Sequence, residues 1–324
     1  CYVNQEPTIL MTLPALAQDT LAPLIAAFRS RRPLRAGSLI ITVFGDTISQ
    51  HGNCVWLGSL IRALAPLGLS ERLIRTSVYR LSQDDWLTSE QIGRRSYYSF
   101  SAKGLRSYRS AAQRIYNLGQ SVWDGQWMLV LAGFLTDRER DALRRELQWL
   151  GYGTLSPGMM AHPSHDRTAL DETLADMDLA GKVTVLSAQT EDDASLEVLQ
   201  QLAVKSWKLK ELGESYRAFC SAYQPSLQAL ENGELLSDHA CFLLRTLLIH
   251  DYRRLLLRDA DLPEELLAKT WPGREALALT TRLYRLLGPT VSNYVCHHLE
   301  GKSGLLPGPG ADFAQRFSAG DTPE

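Results

Sequence analysis

Residues 56–100, WLGSLIRALAPLGLSERLIRTSVYRLSQDDWLTSEQIGRRSYYSF, decide how this chain reads. Leu57, Leu60, Ile61 and Leu64 fall at the i, i+3, i+4, i+7 spacing that lines one helical face. Pro66, Leu67 and Gly68 end that helix. Ser70 then suits an N-cap, because its hydroxyl takes up a first-turn N–H that has no helical partner. Leu73, Ile74, Ser77, Val78 and Leu81 form the inward stripe of a second helix. Its other face carries Arg72, Arg75, Thr76, Tyr79 and Arg80, three cations and two hydroxyls suited to a major groove. Trp86 to Gln91 and Ser96 to Phe100 read as two strands joined through Ile92, Gly93, Arg94 and Arg95. Gly93 permits the turn, and Arg94 and Arg95 project from it toward phosphates or a minor groove. A basic helix face alone is often only a solvated face. The hairpin makes the winged helix-turn-helix the better reading, with double-stranded DNA as partner.

Charge points the same way. The 324-residue chain is formally -2, but up to Arg114 it carries 14 Lys and Arg against 7 Asp and Glu, and beyond it 20 against 29. Cations concentrated on one module suit phosphate neutralisation, and an acidic remainder keeps the contact local. Ala36 to Gln50, with Ile40, Val43, Phe44 and Ile48, reads as the first helix of that module. Ser101 to Asn117 reads as a basic helix leading out of it, with Arg106, Arg109 and Arg114 outward.

Residues 1–34 are expected to be flexible or not native to the fold. They lack the charged start of a secretory signal, and Met11 is a candidate start. No run reaches the roughly 20 apolar residues of a membrane span, so a cytoplasmic protein is expected. Cys1, Cys54, Cys220, Cys241 and Cys296 are scattered, which suits reduced thiols. His162 with His165, and Cys296-His297-His298, lack a second half at ligand spacing, so neither metal nor cofactor is expected.

Three regions follow the 35–117 module. Residues 123–190 give a strand at Trp127 to Leu131, buried on both faces, a helix at Asp137 to Leu150, extended chain from Tyr152 to Met160, a helix around Arg167 to Met177, and a strand at Lys182 to Ala188. That order predicts a ferredoxin-like sandwich. Residues 195–300 read as a separate helical domain divided by Pro225, Pro263, Pro272 and Pro289 into four or five helices. Residues 301–324, rich in Gly and Pro, read as a loosely packed tail. The fold class is thus α+β and multidomain. In the helical region, His250, Arg253, Arg254 and Arg258 accompany a strongly apolar side. His250, Arg254 and Arg258 are spaced by four, suited either to a phosphate-bearing effector or to salt bridges with acids such as Asp251, Asp259 and Glu264.

Several motifs closely resemble the PaaX family of phenylacetate-pathway repressors: Gly45-Asp46, Val55-Trp56-Leu57-Gly58-Ser59-Leu60, Arg72-Leu73-Ile74-Arg75-Thr76, Ile92-Gly93-Arg94-Arg95-Ser96, Trp123-Asp124-Gly125-Gln126-Trp127, Leu248-Ile249-His250-Asp251-Tyr252-Arg253-Arg254 and Trp271-Pro272-Gly273. The resemblance runs from about Leu34 to Phe317. It implies a homodimer that binds a palindromic operator and is released by phenylacetyl-coenzyme A, with a middle domain like the small CRISPR adaptation protein used for dimerisation. The alternatives are an enzyme acting on a coenzyme A thioester and a metal-dependent nuclease using Asp124. No G-x-S-x-G elbow, P-loop or recognisable Cys-His arrangement supports an enzyme.

Overall fold

The computed structural model describes residues 15–116, 123–163, 167–190 and 192–317. The chain combines helices with small sheets and divides into two compact units. The first comprises residues 1–119, 219–253 and 276–324, and the second 120–218 and 254–275.

The first unit opens with helix α1 (Ala15–Arg29), which lies in the segment expected to be loose. Leu21, Leu24, Ile25 and Phe28 are buried on one side of it, a spacing that seats the helix in the core. Burial of side chains this size contributes about 1.5–3 kcal/mol each, so residues 15–29 belong to the fold. Arg31 extends the attachment through a two-pronged bond to Asp251, at 2.6 and 2.8 Å. Cys1 and Met11 lie outside the described residues.

Helix α2 (Ala36–Asp46) is apolar nearly all round and buried on most sides. After a 3-10 turn come β1 (Cys54–Trp56), α3 (Leu57–Leu64) and a second 3-10 turn that ends at Gly68, φ +75°. Helix α4 (Glu71–Gln83) starts at Ser70, whose Oγ accepts the Leu73 N–H at 3.2 Å. Strands β2 (Leu87–Ile92) and β3 (Arg95–Phe100) then pair antiparallel with Ile92 opposite Arg95, which leaves a two-residue turn of Gly93 and Arg94. Gly93 sits at φ +60°, the backbone that a hairpin of the II′ kind needs at its first turn position. Strand β1 adds to the other edge of β3, an addition the sequence pattern did not announce because only three residues take part. Helix α5 (Ala102–Ile115) is capped by Ser101.

The helices at 219–253 and 276–298 belong to this first unit rather than to a separate helical domain. Helix α10 (Asp238–Leu256) runs antiparallel along α2: Arg253 meets Ser38, His250 meets Thr42, and Arg245 meets Asp46. Pro225 and Pro289 do not divide the region. They lie inside α9 (Leu209–Glu231) and α11 (Pro272–His298), whose packed faces outweigh the backbone bond each proline forfeits. Pro272 instead starts α11, where its missing N–H costs nothing. The presumed tail is also ordered as far as Phe317. Strands β8 (Glu300–Gly301) and β9 (Gly304–Leu305) form a small hairpin, and Leu306, Arg316 and Phe317 are buried. Residues 318–324 lie outside the described residues.

The second unit is a four-stranded antiparallel sheet. Its elements run β4 (Gln126–Leu131), α6 (Asp137–Trp149), β5 (Gly153–Ser156), β6 (Met159–His162), α7 (Arg167–Asp176) and β7 (Thr184–Gln189), with spatial order β5-β6-β4-β7. Met128 and Val130 point to a core shared with α6 and α7, through Leu143, Leu147, Leu170 and Leu174. On the other face Trp127 packs with Ala161 and Leu266, beside Leu196 and Leu199 of α8 (Asp193–Ser206). Both faces of β4 are therefore covered, as a continuous apolar run requires.

Candidate nucleic-acid interface

Helix α4 buries Ile74, Val78 and Leu81 and turns Arg72, Arg75, Thr76, Tyr79 and Arg80 to the solvent. Tyr79 is 63% exposed, a large ring left uncovered beside cations. Arg72 and Arg80 have no acidic partner among the described residues. Arg75 does: its Nε donates to Glu71 Oε1 at 2.8 Å, one turn earlier. Glu71 belongs to the first turn, where an acid favours the positive end of the helix, and it was not counted on this face. The Thr76 hydroxyl donates to the Arg72 carbonyl at 2.9 Å, which fixes its rotamer along the helix.

The hairpin separates its two arginines. Arg94 occupies the turn and is exposed, without an ion pair among the described residues. Arg95 is the first residue of β3 and, although exposed, is tied down. Its guanidinium lies 4.2 Å from the centre of the Trp56 ring and donates to Glu300 Oε2 at 2.6 Å, and that hydrogen bond raises its pKa. The other Glu300 oxygen accepts Arg62 Nη2 at 3.3 Å, and Arg62 also lies 4.9 Å from the Trp56 ring centre. Lys302 on the β8-β9 turn binds Glu90 on β2. The hairpin is thus fastened by residues about 200 positions later in the chain. Gly58 is required here, because a Cβ would fall 2.5 Å from the Trp56 ring.

The four residues assigned to an effector do not share one open face. His250 is 3% exposed and lies 3.2 Å from Thr42 Oγ1. Arg253 donates to the Ser38 carbonyl and hydroxyl at 3.4 and 3.3 Å, and burial lowers its pKa. Both fill the seam between α2 and α10. Arg254 is exposed, and Arg258 lies in the turn after α10, donating to Ser215 at 3.4 Å. The spacing of four fails at Arg258 because α10 ends at Leu256.

A charged cluster that sequence reasoning missed lies inside the first unit. Asp46, 1% exposed, accepts hydrogen bonds from the Tyr116 and Tyr284 hydroxyls at 2.8 and 3.0 Å. It also faces Arg245 Nε at 3.0 Å and Arg316 Nη1 at 3.2 Å. Arg316 donates further to the Asp46 and Gly45 carbonyls, and its guanidinium lies 4.1 Å from the Tyr116 ring centre. Burial pushes the Tyr108 phenol beside it up to about 12. A Cβ on Gly45 would fall 1.9 Å from the Tyr108 ring, so glycine is the residue that lets this ring in. Among the described residues two arginines face this one carboxylate, and Arg245 Nε and Nη1 have no hydrogen-bond partner.

The other chemistry-bearing candidates hold structural contacts. Asp124 Oδ1 accepts the Gln126 N–H at 3.0 Å in the turn before β4. Among the described residues no three His, Cys, Asp or Glu side chains gather as a metal site, and no helix is long and apolar enough to cross a membrane. His165 lies outside the described residues.

Three family models match the chain in succession: a PaaX-like protein model over residues 35–104, the central Cas2-like domain of PaaX protein over 120–199, and the PaaX-like C-terminal domain over 207–297. The chain is also 37% identical to the transcriptional repressor PaaX of Escherichia coli strain K12, over 88% of this chain and 90% of that protein. This chain belongs to the PaaX family. Its relative is a regulator rather than an enzyme. Among solved structures, an uncharacterised protein of Mycobacterium tuberculosis is similar at 22% identity and a TM-score of 0.48, over 72% of this chain and 90% of that one. The first PaaX segment spans α2 to the start of α5 and contains every residue named for DNA. The C-terminal PaaX segment contains Arg245 and Tyr284, which meet Asp46 of the first.

Proposed function

We propose that this chain is a cytoplasmic transcriptional repressor that binds a palindromic operator as a homodimer, with α3 and α4 as a helix-turn-helix and the β2-β3 hairpin as its wing. The observation that carries the reading is the exposed face of α4, where Arg72, Thr76, Tyr79 and Arg80 stand clear of the core with Arg75 among them. Such a face offers bidentate donors to guanine edges and hydroxyls to bases or phosphates. Arg94 at the hairpin tip supplies a phosphate or minor-groove contact, whereas Arg95 supports the wing through Trp56 and Glu300. The strand order β5-β6-β4-β7 supports a ferredoxin-like middle domain, and family membership supports its use in dimerisation. Family membership also supports phenylacetyl-coenzyme A as the effector that favours a dimer whose recognition helices no longer match the half-site spacing.

The test is a gel-shift titration of a fragment carrying the promoter for phenylacetate breakdown. The complex is expected to form at nanomolar protein and to be released by phenylacetyl-coenzyme A, but not by free phenylacetate or acetyl-coenzyme A. Equal affinity for the promoter and for random duplex at moderate salt overturns the repressor reading. Release by none of the three ligands overturns the effector.

A further inference from the structure

A cavity of about 810 Å3 opens in the first unit between Ser59 and Arg62 of α3, the start of α10 and the end of α11. One wall is a ladder of rings. His239 lies parallel to Tyr294, with centres 4.8 Å apart and 6° between planes, and His298 continues the stack on Tyr294 at 5.0 Å and 28°. His239 is fixed by its Nε2 contact with the Ala63 carbonyl at 2.9 Å, while His298 is exposed. The ladder therefore ends in an open imidazole face.

Arg62 stands on the same cavity and over the Trp56 ring. Its Nη2 reaches Ser59 Oγ at 3.2 Å and Glu300 Oε1 at 3.3 Å, both longer than the roughly 2.7–2.9 Å of a charge-assisted bond. Its side chain is 56% exposed. A planar ring and an exposed guanidinium on one cavity match a ligand that carries both an aromatic base and a phosphate. Its volume lies within the roughly 300–1,000 Å3 usual for small-molecule sites.

We propose that this cavity receives the nucleotide part of a coenzyme A thioester, its base stacked on His298 and a phosphate on Arg62, and that the phosphate displaces Glu300. The inference rests on the effector reading above for the identity of the thioester, and adds where it binds and how the signal leaves. Glu300 holds Arg62 with one oxygen and Arg95 with the other. A phosphate on Arg62 supplies a stronger acceptor and repels the Glu300 carboxylate. Arg95 then keeps its Trp56 contact but loses its carboxylate partner, and the hairpin loses one of the two ion pairs that, among the described residues, fasten it to the β8-β9 segment. By linkage, operator binding weakens thioester binding by the same factor.

Isothermal titration of the full chain with phenylacetyl-coenzyme A, ADP and phenylacetate tests this, with melting curves to confirm folding. Arg62→Gln and His298→Ala are expected to weaken thioester binding at least tenfold, while His298→Phe, which keeps a ring, stays within about threefold of wild type. ADP is expected to compete with the thioester, and phenylacetate is not. In the wild type, amide exchange across residues 87–100 is expected to quicken on adding the thioester. Thioester binding unchanged in both folded variants overturns the cavity and leaves the effector reading intact. Binding of ADP that His298→Ala abolishes, without release of operator by the thioester, keeps the cavity and sinks the effector reading. Failure of both nucleotides to bind the wild type overturns the cavity.

Discussion

Replacing Asp46 by Asn changes one atom and almost no volume, yet it removes the one carboxylate that, among the described residues, faces Arg245 and Arg316. The acceptor for the Tyr116 and Tyr284 hydroxyls can survive as the amide oxygen. What cannot survive is the counter-charge 3.0 Å from Arg245 Nε, because the amide is neutral and its nitrogen is a donor. Two guanidinium groups, 1% and 7% exposed, are left without a counter-charge. Removing one member of a buried ion pair costs about 3–5 kcal/mol, a large part of the roughly 5–15 kcal/mol that holds a typical fold. With a urea dependence of about 3 kcal/mol per molar, the midpoint is expected to fall by about 1–1.7 M in far-ultraviolet circular dichroism. Arg316→Met is expected to hurt the wild type more than it hurts the Asp46→Asn chain, since it then removes a cation already unpaired. That difference, about 1 kcal/mol or more, is the coupling of the pair. A midpoint for Asp46→Asn within 0.3 M of wild type, a shift of roughly 1 kcal/mol on the same slope, refutes the argument that this carboxylate neutralises the seam.

On the DNA face, Arg94→Ala is expected to weaken operator and random duplex alike and to lower the salt slope of binding by about 1, as one lost phosphate contact does; an effect confined to one base pair contradicts that assignment. Arg75→Ala is expected to cost about 1–3 kcal/mol at the operator and much less on random duplex, measured by competition gel shift. Burial holds the pKa values of His51 and His239 below the usual histidine value, so the unfolded chain takes up protons first as pH falls through about 6.5. Stability is therefore expected to drop on acidification from pH 7.5 toward 5.5, with a flatter profile in His239→Asn; urea midpoints that rise over that window contradict the sign. Burial also pushes the Cys241 thiol up to about 11, so in native protein at pH 8 it should resist iodoacetamide and become labelled only after denaturation, as mass spectrometry of the peptide reports.

How much of this was legible in the sequence depends on how local each signal is. The Ser70 cap, the Ile74, Val78 and Leu81 stripe and the Gly93 turn are set within a few residues, and the structure places them within a residue or two of expectation. The same holds for the β-α-β-β-α-β order of the second unit, where each apolar run and its turn residues are contiguous. Arg95 reads as a wing cation from its neighbours along the chain, and its contacts with Glu300 and Trp56 could not be read there because both are remote. His250 and Arg253 read as a ligand cluster because a helix spacing shows which residues share a side, not what that side packs against. Here it packs against Ser38 and Thr42. The segment containing α1 and the stretch to Phe317 were discounted on composition, since Gly, Pro and a shortage of charge also describe chain that crosses a core once and is held by a few large side chains. Asp46 carried no local mark of its role at all: its partners come from positions 116, 245, 284 and 316.

The bond from Arg316 to Asp46 closes the first unit across 270 residues. During synthesis, α3 and α4 leave the ribosome long before the side chain that completes the interior of the unit. At about 5–20 residues per second, that interval is roughly 15–50 s. A nascent chain therefore carries an unfinished first unit until residue 316 has been translated, and a message cut short anywhere before that residue yields a product without this closure.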